Sequence, residues 1–233
     1  MTQISDIITD AFRESNLIPL NATPTAPETT EGLNRLQAII KSVLGNEVGY
    51  IMQDWKVTSA SAITMPSGVA LSSAQASAWY VQPQARLQCS LSTSTSLSLD
   101  PYPNDGQRFS VVDVGGNFAS NNLTLSGNGR KVNGSSNLVL STNSAVREFM
   151  YRADLGDWVE IDTFTTSDNL PFPEDFNDYF TTALAMRLNP RYGRPLPPEA
   201  AARYDQQRKQ IIIRYNQSRL RGIGAEKNEL DIG

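Results

Sequence analysis

Residues 110–144 read SVVDVGGNFASNNLTLSGNGRKVNGSSNLVLSTNS. Brief alternating runs, SVVDV, NLTLS and NLVLS, are separated by glycine and asparagine, which accept the positive φ angles of tight turns. Short strands joined by turn residues predict an all-β segment. The same composition extends outward on both sides, from about Lys56 to Asp162, through WYVQ, RLQCSLS and RFSVVDV. Downstream, REFMYRADLGDWVEID has the form of a hairpin turning around Leu155 and Gly156. Tight turns between short strands predict a small barrel or sandwich. The aromatics Trp79, Tyr80, Phe109, Phe149, Tyr151 and Trp158 fit cross-strand packing, which strands favour, better than a sugar or nucleobase platform. GGNFASNNLTLSGNGRKVNG lacks the G-x-x-x-x-G-K-[ST] pattern and opens no helix, so it is read as strands and turns, not as a phosphate cradle.

On both flanks the periodicity is helical. Ile4, Ile7, Ile8, Ala11 and Phe12 make one face of a first helix, with Thr2 a cap candidate and Pro19 its stop. NATPTAPETT then reads as a loop. The second helix follows, with Leu33, Leu36, Ile40, Val43 and Leu44 as its apolar face and Gly45 or Gly49 as its end. After the β segment, LPFPEDFNDYFTTALAMRLNPRYG predicts a helix opened by Pro173, packed through Phe176, Phe180, Ala183 and Leu184, and ended by Pro190 with Gly193. RPLPPE leads into a last helix starting at Pro197 or Pro198. The expected fold is therefore α+β: a bundle of about four helices, the C-terminal one long, from residues 1–55 and 166–221, an inserted all-β domain at 56–165, and a flexible tail at 222–233.

The last helix is where the charge collects. Residues 187–221 carry nine arginines and lysines against Glu199 and Asp205, and this +7 in a chain of net charge −4 leaves about −11 on the rest. Such segregation points to a specific partner surface. Arg203, Gln207, Gln210, Arg214, Gln217 and Arg221 fall at steps of four and three and make one stripe of long hydrogen-bond donors, with Tyr204, Ile211, Ile212 and Tyr215 largely away from it. The stripe suits either a solvated face or an acidic, carbonyl-rich partner. The net negative field disfavours general nucleic-acid binding.

The chain has no histidine and a single cysteine, Cys89. That removes Ser-His-Asp and Cys-His catalysis, histidine-ligated metals and internal disulfides together. Carboxylate-pair hydrolysis and oxygen-ligated cations stay formally open, but no spacing singles out a pair. No cofactor is expected. The N-terminus lacks a basic region and a long apolar run, and no stretch approaches a membrane span, so the expectation is a soluble protein made in a reducing cytoplasm.

LNRLQAIIKSVLGNEVG in the early helix, with PEDF, ALAMRLNPRYG and the Pro-Leu link into a long basic helix, resembles the head-to-tail adaptor family of tailed bacteriophages, also called tail accessory factors or head completion proteins. The resemblance covers both helical parts, about half of the chain. The Gly/Asn-rich insertion is similar to small β modules of phage tail and connector proteins, and departs from compact members of the family, whose connection is shorter. The resemblance implies a non-enzymatic virion protein at the head-tail junction, made in the host bacterial cytoplasm. It implies a ring of about twelve copies beneath the portal protein, through which genomic DNA passes without sequence-specific contact, with a nozzle, hub or fibre component attached below. By analogy the portal-facing residues are Arg203, Gln207, Arg208, Gln210, Arg214, Gln217, Arg219 and Arg221. Two other readings compete: a receptor- or fibre-binding module acting through Trp79 or Trp158, and a virion-borne peptidoglycan hydrolase without a nominated carboxylate pair.

Overall fold

The computed structural model describes residues 2–44, 52–192 and 198–227, with 189–192 and 216–227 described by their backbone alone. The chain divides into two compact units, Met1–Gly49 with Thr163–Gly233, and Tyr50–Asp162.

The first unit is helical. Helix α1, Ile4–Glu14, buries the expected Ile4, Ile7, Ile8, Ala11 and Phe12. Thr2 does not cap it: its hydroxyl accepts from Asn177 Nδ2 at 2.6 Å and its carbonyl from the Leu170 amide at 3.0 Å, tying it to residues 170–177. Helix α2, Ala26–Ser42, opens on a capping box in which Thr25 and Glu28 satisfy each other's end groups. Its buried residues are Gly32, Leu36, Ile39 and Ile40, with Leu33 only half buried. The face is turned toward Gly32 because α1 packs there, Ile8 Cγ2 lying 2.6 Å from where a Cβ on Gly32 would stand. The expected stops Gly45 and Gly49 lie outside the described residues. A 3-10 turn, Glu174–Phe176, leads into α4, Asn177–Tyr192, which runs through Pro190 instead of ending there. Helix α4 is the hub, packing against α1, α2 and α5. The last helix, α5, spans Pro198–Lys227 and passes through Gly222 and Gly224, so the stretch read as tail is helical as far as Lys227. Among its described side chains Ala200, Ile211 and Tyr215 are buried, Tyr215 meeting Phe172 edge-on at 5.8 Å.

The second unit corrects the expected fold: it is a β-solenoid, not a barrel or sandwich. Strands β1 (Gln53–Ser59), β3 (Ala85–Cys89) and β5 (Arg108–Asp113) pair in parallel, Trp55 beside Leu87 and Leu87 beside Val111. Strands β4 (Thr95–Ser98) and β6 (Leu123–Ser126) pair in parallel in a second sheet. The chain passes from one sheet to the other and returns one rung further on, so sheet neighbours come from successive coils. Hairpin turns would have made them antiparallel. The coil ends in a reversal: β8 (Asn137–Leu140) pairs antiparallel with β6, and β9 (Val146–Arg152) with β5. The expected hairpin is present as β9 and β10 (Asp157–Glu160), and β7 (Lys131–Val132) closes that edge. At the other edge β2 (Ala62–Thr64) folds back on β1. A short helix α3, Ser73–Ala78, makes the fifth helix where about four were expected, opened by a Ser72–Gln75 capping box. Leu87, Leu97, Val111, Phe118, Leu123, Leu125 and Phe149 fill the interior.

Solenoid turns need groups that hold successive coils at their corners. Asn117 and Asn121 both donate to the Leu91 carbonyl, Asn121 at 3.1 Å. Asp113 Oδ2 accepts from the Phe118 amide at 3.2 Å and the Ser144 amide at 2.9 Å, joining two loops at one end. Gly127 is required by space, since a Cβ there would meet the Arg130 carbonyl oxygen at 2.0 Å.

Candidate partner-binding surface

Helix α5 carries the residues that the sequence reading nominates, and the structure divides them. Arg203 Nη2 donates to Glu14 Oε1 on α1 at 2.7 Å. Glu14 also accepts from the Thr182 hydroxyl of α4 at 3.1 and 3.2 Å, and Thr182 is fully buried. One carboxylate therefore joins three helices. Charge-assisted bonds of this kind are stronger than neutral ones.

Arg214 lies over aromatic rings, its guanidinium carbon 5.7 Å from the Phe176 centroid and 6.0 Å from that of Tyr215. Gln207 is half buried, and its side-chain oxygen is enclosed without a hydrogen-bond partner. Among the described residues of the stripe, Arg203, Gln207 and Arg214 are thus turned onto the bundle and Gln210 faces outward. The stripe borders the seam made by Ala200, Tyr204, Ile211 and Tyr215, and Arg203 and Arg214 fold across that border onto the bundle. Arg208, Lys209 and Gln210 are exposed. The side chains of Gln217, Arg219 and Arg221 lie outside the described residues.

Sequence reasoning missed Glu14, Thr182 and Phe176 as partners of the stripe. Phe176 carries a helical-face signal that identifies it as core. Glu14 and Thr182 carry none, because a polar residue's partner some 170 positions away is fixed by how helices pack. Tyr204, read as lying away from the stripe, stacks on Tyr179 with centroids 5.3 Å apart and planes 10° off parallel.

Elsewhere, Cys89 is buried in the solenoid, and burial first, then the nearby Asp113 carboxylate, push its thiol up to about 12. It stays protonated near neutrality and is no nucleophile. Trp158 is buried edge-on to Phe109 at 5.1 Å, which removes its ring from any ligand. Trp79 is partly buried against Trp55, centroids 5.4 Å apart. Among the described residues no group of three histidine, cysteine, aspartate or glutamate side chains could hold a metal ion, and no helix is long and apolar enough to cross a membrane. No protein-family model matches this chain, and no curated protein matches it.

Proposed function

We propose that the chain is a structural assembly protein, a head-to-tail adaptor that docks beneath the portal of a tailed-phage head, extends its DNA channel and carries the next tail component. The observation that supports this reading most is α5. Its first half is clamped onto α1 and α4 by Arg203, Tyr204, Ile211 and Tyr215, and it then continues as helix for three more turns to Lys227. A helix held rigidly at one end and continuing past its anchor suits insertion into a partner's groove. The motifs PEDF and ALAMRLNPRYG, which carry the family resemblance, are the elements that position it: Phe176 lies under Arg214, and Ala183, Leu184 and Leu188 are buried on α4.

The exposed part of the basic surface, Arg208, Lys209 and Gln210, supplies the first portal contacts, while Arg203 and Arg214 hold the helix in place. Exposed ion pairs contribute only about 0–1 kcal/mol each, but a ring repeats them, and the sum fixes both orientation and attachment. The acidic remainder suits a conduit, because walls that held phosphates tightly would slow DNA.

The test is the mass of the full chain alone and after mixing with a purified portal ring from the same phage. Docking of about twelve copies per ring, weakened at least about tenfold by the double substitution Arg208→Glu with Lys209→Glu, is the expected outcome. A portal whose mass does not change at saturating protein defeats the reading.

A further inference from the structure

The loop between α1 and α2 presents an apolar tip that the bundle does not use. Residues 17–20 read Leu-Ile-Pro-Leu; Leu17 and Ile18 are half buried, Pro19 is exposed, and Leu20 is 80% exposed. The tip is not slack chain. The Ala22 amide donates to the Pro19 carbonyl at 3.0 Å, closing a turn with Leu20 at its corner. Arg13 braces the same turn, donating to the Ala22 carbonyl at 3.2 Å and to Asp10 at 3.2 Å. Between Glu14 and Glu28 the chain has no charged residue. A rigid, uncharged, apolar projection has the composition of an interface core.

The same helical unit contains a notch of about 270 Å³ between α2, α4 and α5. Ile39, Val43, Ala183 and Met186 make it apolar, the stacked Tyr179 and Tyr204 line it, and Ser42 and Arg187 add polar groups. It is smaller than a typical small-molecule pocket of about 300–1,000 Å³ and has room for one or two aliphatic side chains. Met186 is 37% exposed at its mouth.

The tip adjoins the N-terminus of α2, and the notch lies at that helix's C-terminal end. Seventeen helical residues separate them, about 25 Å at the usual rise, so no copy can fill its own notch. The charges agree as well: Asp10, whose side chain is 57% exposed, stands beside the tip, and the cationic Arg187 stands at the notch. We infer that the notch receives the Leu17–Leu20 tip of a second copy of this chain, with Leu20 as the knob and Asp10 facing Arg187. Two unlike surfaces at opposite ends of one element give a head-to-tail contact, which closes into a ring when the rotation between copies permits. The contact rests on the adaptor reading only for the number of copies in such a ring.

The test uses the full chain and measures mass by light scattering up to about 1 mM, the range of a weak contact. Wild-type mass rises with concentration. Leu20→Glu lacks a usable tip and Met186→Glu a usable notch, so each alone stays a single copy. Mixed in equal amounts they form a species of two copies and nothing larger, because only one intact tip and one intact notch remain per pair. Helical circular dichroism checks that both variants fold; if Met186→Glu does not, Ser42→Glu at the same notch replaces it. The inference is overturned by a wild-type chain that stays single over the whole range, by variants that associate as wild type does, or by a mixture that never pairs. The two proposals fail separately. Docking of Leu20→Glu on a portal ring in wild-type number removes the tip contact and leaves the adaptor, whereas association without any portal binding removes the adaptor and leaves the contact.

Discussion

Asp157 is almost wholly enclosed at the start of β10, where one carboxylate oxygen accepts from the Gly134 amide at 2.8 Å and the backbone amides of Asn133 and Trp158 also act on the carboxylate. Burial raises its pKa, against the lowering effect of Gly134 and of nearby Lys131. An acid whose folded pKa lies above its ordinary value contributes stability fully below that ordinary value, and loses it as pH rises through the folded one. At neutral pH, Asp157→Asn keeps an acceptor for Gly134 and removes the buried charge. We expect it to raise the unfolding midpoint of the solenoid unit by about 2–5 °C, with the gain shrinking as pH falls toward 4. Thermal melts followed by tryptophan fluorescence, whose sources Trp55, Trp79 and Trp158 all lie in the solenoid unit, check this, and a gain that grows on acidification refutes it. At this scale the sequence identified Arg203 and Arg214 as aligned donors, because a helical period is local. It could not identify Glu14, Thr182 and the Phe176 ring as what they meet, since those contacts are made between helices.

Helix α2 illustrates how packing overrides a pattern at the scale of elements. The large apolar residues suggest a face through Leu33, yet the buried line runs through Gly32, Leu36 and Ile39, because the absence of a side chain at Gly32 lets α1 approach. Alanine is intrinsically better in a helix by about 1 kcal/mol. Gly32→Ala nevertheless places a methyl 2.6 Å from Cγ2 of fully buried Ile8, a β-branched side chain with little rotamer freedom. A net loss of about 1–2 kcal/mol is expected from this overpacking, measured by urea unfolding, and the same substitution should cost less in an Ile8→Ala background, where the opposing side chain is gone. A stabilised Gly32→Ala protein would mean that the α1–α2 contact is looser than described. Helices α1 and α4 were legible because their apolar faces are continuous, although α4 runs past Pro190, which local propensity assigns as a stop. The strands of the insertion were legible too, through alternation and turn residues. Their partners were not.

For the whole molecule, the division at Tyr50 and Asp162 predicts independence. Replacing 50–162 by a flexible Gly/Ser linker of about ten residues should leave the helical unit soluble, with its circular dichroism intact, and residues 50–162 alone should keep a cooperative melt. An insoluble helical product would indicate a shared core. The sequence by itself determined the class of each segment, the absence of histidine chemistry, and the concentration of positive charge near the C-terminus, because composition and short-range periodicity depend only on neighbours along the chain. Tertiary structure alone decided that the insertion coils as a solenoid. Parallel and hairpin pairing draw on the same strands and turn residues, and differ only in which distant strands meet. It alone also decided that Arg203 and Arg214 of the basic stripe are spent on Glu14 and Phe176, while an apolar tip and an apolar notch are left open at opposite ends of α2. Burial of those surfaces is a property of three helices packed together, and no single segment carries it.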